Sequence, residues 1–134
     1  MTYIIAYISA TVFFFALDFV WLAFVAKDFF QKHIGFLLAD EFNLAVAGAF
    51  YLSYTIGIVI FCIMPAVQSQ NWLMALGYGC LFGFLAYGTY DFTNLATLKN
   101  WPPIVTIVDI CWGTTITGLS ALVGYFAVRF FQTQ

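Results

Sequence analysis

The feature that most constrains this chain is a set of four apolar runs, at roughly Tyr3–Ala26, Asn43–Val67, Trp72–Thr97 and Pro103–Phe131. Each is long enough to cross a bilayer, since a helix needs about 20 predominantly apolar residues to span the hydrocarbon core. The runs are continuous rather than alternating with a period of two, which selects helices over the strands of a barrel. Charge agrees with this. Only 7% of the 134 residues are charged and the mean hydropathy is +0.98, whereas a soluble domain has about 25% charged residues. Such a chain cannot cover a globule with polar surface. The expected fold is all-α: one polytopic membrane domain over residues 1–134, a bundle of four transmembrane helices.

The breaks between runs have physical causes. Pro65 falls near the end of the second run, before the polar turn Gln68-Ser69-Gln70-Asn71. Trp101-Pro102-Pro103 reads as a turn followed by a helix start, because proline in the first helical turn loses no N–H that the helix needs. The first connection differs. Lys27 to Phe42 sets Phe30, Ile34, Leu37 and Leu38 on one helical face, with Asp28, Gln31 and Lys32 elsewhere. That pattern predicts an amphipathic segment lying in the membrane interface between helices 1 and 2.

Lys27, Lys32 and Lys99 fall in the first and third connections, and Arg129 near the C-terminus. The excess of basic residues places those two connections in the cytoplasm and both termini outside, the arrangement of a multi-pass protein of a bacterial inner membrane. The start of the chain has no basic region ahead of its apolar run, so no cleavable signal peptide is expected. Cys62, Cys80 and Cys111 form no CxxC pair and read as small buried hydrophobes. The net charge of −2 and the lack of a basic cluster argue against nucleic acid as a partner. Membrane lipid is the expected surrounding. Gly79 and Gly83, with Gly113, Thr117 and Ala121, form small-residue faces suited to close helix packing, within the chain or in a homodimer.

Three of the six acidic residues are embedded in spans: Asp18, Asp91 and Asp109. Asp18 precedes Lys27 by nine residues, Asp91 precedes Lys99 by eight, and Asp109 follows Trp101 by eight. At 1.5 Å rise per residue, each lies on the order of 12–14 Å below the same membrane side. An aspartate at a helix centre costs at least about 2.5–3.5 kcal/mol, so all three should face the bundle interior. Clustered carboxyls without a nearby cation cannot all be ionised, and share protons through neighbouring hydroxyls and amides. Trp21, Tyr51, Tyr54, Tyr87, Asn94 and Trp112 lie near that level and are the expected binding residues around them. Tyr87, Asp91 and Asn94 share a face at i, i+4, i+7. His33, the one histidine, falls in the amphipathic connection and reads as an interfacial polar residue. No metal site and no cofactor are expected.

Tyr90-Asp91-Phe92-Thr93-Asn94-Leu95-Ala96-Thr97, Trp101-Pro102 and Val108-Asp109-Ile110-Cys111-Trp112-Gly113-Thr114 resemble the bacterial membrane-protein family catalogued as domain of unknown function 2177. Asp18 with Trp21-Leu22, Phe50-Tyr51-Leu52-Ser53-Tyr54 and Met64-Pro65-Ala66 are similar to other parts of its pattern. The resemblance covers nearly the whole chain, in order. It implies a small polytopic inner-membrane protein and no particular activity.

Three functional classes remain open from the residues. One is a membrane-embedded protein that binds or chemically modifies a lipid-like or other hydrophobic small molecule, with Asp18, Asp91 and Asp109 as acid–base or ligand-binding groups. A second is a small proton-coupled transporter acting as a dimer. The third is an accessory subunit whose polar network serves only its fold.

Overall fold

The computed structural model is described for residues 1–132 and is all-α, with no strand among them. Helix α1 (Thr2–Trp21) passes through a π-helical turn at Leu22–Ala26 into α2 (Lys27–Ile34), which tightens into a 3-10 turn at Gly35–Leu37. Helix α3 (Leu44–Ile58) passes through a second π-helical turn at Val59–Ile63 into α4 (Met64–Ser69). Two long helices follow, α5 (Trp72–Thr97) and α6 (Pro103–Gln132). Four segments are long and apolar enough to cross a membrane: Thr2–Leu37, Leu44–Ser69, Trp72–Thr97 and Pro103–Gln132. They overlap the four runs expected from sequence, the first continuing past Ala26 to Leu37.

Local chemistry sets the helix ends. The Asn43 side chain accepts a hydrogen bond from the Val46 N–H at 3.1 Å, and Asn71 accepts from the Leu73 N–H at 3.0 Å, so each asparagine caps the helix that follows it. Gln70 (φ 52°) and Asn100 (φ 62°) take left-handed conformations at the connections preceding α5 and α6. The second π-helical turn sits just before Pro65, whose missing N–H breaks the regular ladder to the carbonyl four residues earlier.

Helices α5 and α6 make the closest seam. A Cβ added at Gly79 would stand 2.9 Å from the Ala121 Cβ and 2.9 Å from the Gly118 Cα. One at Gly113 would collide with the Tyr87 ring. Gly79, Gly83, Gly113 and Gly118 are therefore spent on packing within the chain. Beside this seam, Ala6, Ala10, Phe14, Ile58, Ile63, Ile116, Ala121 and Val128 form a fully buried core. Cys62 is buried in it, whereas Cys111 is exposed on the outer surface, so the expectation of three buried cysteines holds for only part of the set.

The amphipathic segment is a helix packed on the spans. It continues α1 without a loop, and its apolar face turns inward. Ile34 is buried against Trp101 and Val105, with Phe29, Phe30, Leu38 and Leu95 packed around them, while Leu37 stays exposed. Ile34 lies sixteen residues past Asp18, about 24 Å along a straight helix. Val105 lies four residues before Asp109, about 6 Å. For Ile34 to meet Val105 while Asp18 and Asp109 stay level, the chain must bend back beyond Asp18. The widened turn at Leu22–Ala26 sits where that bend is required.

Candidate functional site

Between the spans and α2 lies a cavity of about 450 Å³. Each span lends it one face at helical spacing: Asp18, Trp21 and Leu22 from α1; Ala47, Phe50 and Tyr51 from α3; Ala86, Tyr87, Tyr90 and Asp91 from α5; Val105, Asp109 and Trp112 from α6. Phe30 and Ile34 of α2, and Leu38 just beyond it, close one side, with Trp101. All three embedded aspartates border this space.

The carboxyls have different surroundings. Asp18 is nearly inaccessible and accepts a hydrogen bond from the Trp112 indole N–H at 3.1 Å. The Tyr51 hydroxyl lies near the same carboxyl. Trp112 is also stacked on Trp21, with ring centroids 4.5 Å apart and planes 7° from parallel. Stacking and hydrogen bond together fix the indole over Asp18.

Asp91 is fully buried, and neither carboxyl oxygen receives an N–H or hydroxyl donor. The carboxyl of Asp109, itself half-buried, lies beside it. Two ionised carboxylates offer only acceptors to one another, so any hydrogen bond between them would need a proton held by one or the other. The backbone at Asp91 is fixed separately. The Trp101 indole N–H donates to Thr106 Oγ1 at 2.9 Å, and that hydroxyl donates to the Asp91 carbonyl at 3.1 Å. The site thus divides into a carboxyl pair, Asp91–Asp109, and a separate Asp18. Among the described residues no three metal-ligating side chains converge closely enough to hold an ion. No lysine, arginine or histidine borders the cavity.

Residues 3–126 match the family described as predicted membrane protein, DUF2177. The chain belongs to that family. No curated protein and no solved structure matches it. Every residue bordering the cavity, from Asp18 to Trp112, falls inside the DUF2177 match.

Of the nine residues singled out from sequence, seven border the cavity of this DUF2177 chain: Asp18, Trp21, Tyr51, Tyr87, Asp91, Asp109 and Trp112. Tyr54 and Asn94 do not. Tyr54 is one turn past Tyr51 but rotated toward α5 and α6, where its hydroxyl bonds Thr117 Oγ1 at 2.8 Å and its ring stacks on Phe82 at 5.2 Å. Asn94 lies beside the Tyr90 hydroxyl, one turn past Asp91. At that level the space is filled by the Trp101, Val105 and Leu95 cluster. His33 is turned to its own helix, its Nδ1–H donating to the Phe29 carbonyl at 2.9 Å. Sequence reasoning did not assign Phe30, Ile34, Leu38, Tyr90 and Trp101 to the site. The apolar stripe of α2 was the available signal for the first three.

Proposed function

We propose that this membrane protein binds a hydrophobic, lipid-like small molecule in the cavity, its apolar body against the aromatic walls and its polar head at the carboxyls. The observation that carries this reading is the Asp91 carboxyl, fully buried at the cavity border with no donor of its own. A polar network serving only the fold would close on its own donors, because an unsatisfied buried charged or polar group is costly. A carboxyl pair that holds a proton beside an accessible space can also donate or accept one, the chemistry of an acid–base pair. Phe14, packed behind the Tyr51 wall, and the fully buried Ile58, Ile63, Ile116 and Val128 fill the bundle beyond the site, which favours a pocket reached from one side over an alternating-access path.

The lysine excess supports a bacterial inner-membrane location with Lys27, Lys32 and Lys99 on the cytoplasmic side and both termini outside. Reporter fusions at the C-terminus check this orientation, and an active cytoplasmic reporter there would reverse it.

The binding test compares small molecules extracted from purified wild-type protein with those from Ala86→Phe, which places a ring in the cavity. A hydrophobic molecule retained in stoichiometric amount by wild type and lost from the filled variant is expected. Identical extracts, together with unchanged tryptophan emission on adding apolar probes, would sink the reading.

A further inference from the structure

We infer that the head group this cavity selects is a cation, an amine or quaternary ammonium on an apolar body, and that binding it releases one proton from the Asp91–Asp109 pair. This rests on the cavity being a binding site. The charge inventory carries the argument. The other titratable groups bordering the cavity are Asp18 from α1, Tyr51 from α3, and Tyr87 and Tyr90 from α5. Lys32 on α2 and Lys99 in the connection before α6 are exposed, and His33 is held by the Phe29 carbonyl. Nothing on any packed element neutralises a carboxylate.

An uncompensated charge is expensive in a membrane interior, so the empty pair is kept neutral by its own protons. An arriving cation supplies the missing compensation. One carboxyl O–H bond then breaks and its proton goes to solvent. The remaining proton still bridges the two carboxyls, and the single negative charge of the pair faces the single positive charge of the head. Charge in the cavity is the same before and after. The aromatic faces suit such a ligand, since the stacked Trp21 and Trp112 and the rings of Tyr51 and Tyr87 present π surfaces to it. An anionic head would add repulsion with no donor to offset it.

Trp21, Trp101 and Trp112 border the cavity and Trp72 does not, so tryptophan emission reports occupancy. The protein in lipid nanodiscs is titrated with benzyltriethylammonium and with benzyl alcohol as the neutral probe, with Ala86→Phe as the filled-cavity control. Calorimetry in two buffers of different ionisation enthalpy counts the protons. One proton released per cation is expected, with cation affinity rising about tenfold per pH unit while the pair is protonated. Benzyl alcohol binding should not depend on pH. Replacing both residues (Asp91→Asn with Asp109→Asn) removes the titrating protons, so proton release and the pH dependence of cation binding are lost. If benzyl alcohol binds but the cation does not, or binds without proton release, the cationic inference is overturned and the pocket stands. If neither probe binds, both readings fall. The wild-type proton count stands even if the double variant does not fold.

Discussion

Replacing Gly83 with alanine tests whether the seam between α5 and α6 is the chain's own packing surface. The new Cβ would collide with the Gly113 carbonyl oxygen and stand 2.8 Å from the Thr117 Cβ and Oγ1. A backbone carbonyl cannot swing aside as a side-chain tip can, so the two helices must separate by roughly 1 Å. A gap of 0.5–1 Å forfeits a quarter to a half of each contact worth about 0.1–0.2 kcal/mol. Over on the order of 40 heavy-atom pairs, comparable to the contacts of one buried leucine, the loss is about 2 kcal/mol. This agrees with the 1–3 kcal/mol typical of overpacking and corresponds to roughly a 30-fold shift toward the unfolded state. Reversible unfolding from mixed micelles by dodecyl sulfate, followed by far-ultraviolet circular dichroism, measures it. Gly77→Ala and Gly48→Ala are internal controls, because an added Cβ meets nothing within 4 Å at either position. They should be neutral or gain up to about 1 kcal/mol of helix propensity. If Gly83→Ala is as stable as Gly77→Ala, the packing argument fails. If it instead dissociates an oligomer without lowering stability, the small-residue face belongs to an interface between copies.

Three further perturbations probe the site's supports. Trp112→Phe removes the indole donor from buried Asp18 and should cost about 1–3 kcal/mol in the same unfolding assay; a loss below about 0.5 kcal/mol would show that the hydrogen bond contributes little. Thr106→Val keeps the side-chain shape but leaves the Trp101 N–H buried without an acceptor. The expected cost is again about 1–3 kcal/mol, with a change in Trp101 emission, and an unaltered protein would refute the Trp101–Thr106–Asp91 chain. Ile34→Ser weakens the packing of α2 on Trp101 and Val105. Hydrogen exchange should then quicken in residues 27–38 and stay unchanged in the cores of α5 and α6, whereas uniform quickening would show that α2 is not a separately released element.

The spans and the level of the carboxyls were legible because both depend on length along a helix, and rise per residue is nearly the same for every sequence. Counting from Lys27, Lys99 and Trp101 therefore brought Asp18, Asp91 and Asp109 to one depth. Rotation about the helix axis is a different matter. In a soluble protein the apolar stripe marks the inward face, but lipid is as apolar as the core, so inward and outward residues look alike. Phe14 is fully buried while Phe24 and Ile8 are exposed, and nothing in their chemistry separates them. Only residues expensive to expose to lipid carry the signal, which is why the aspartates were placed while Tyr54 and Asn94 were not. The bend at Leu22–Ala26 was hidden for a related reason, since no proline or glycine marks it. The stripe Phe30, Ile34, Leu38 was visible, yet a stripe reads the same against head groups as against a cavity. What distinguishes the two is Trp101, brought from the far side of the chain by the turn before α6. With its N–H satisfied by Thr106, its ring is left as an apolar surface on which α2 can close.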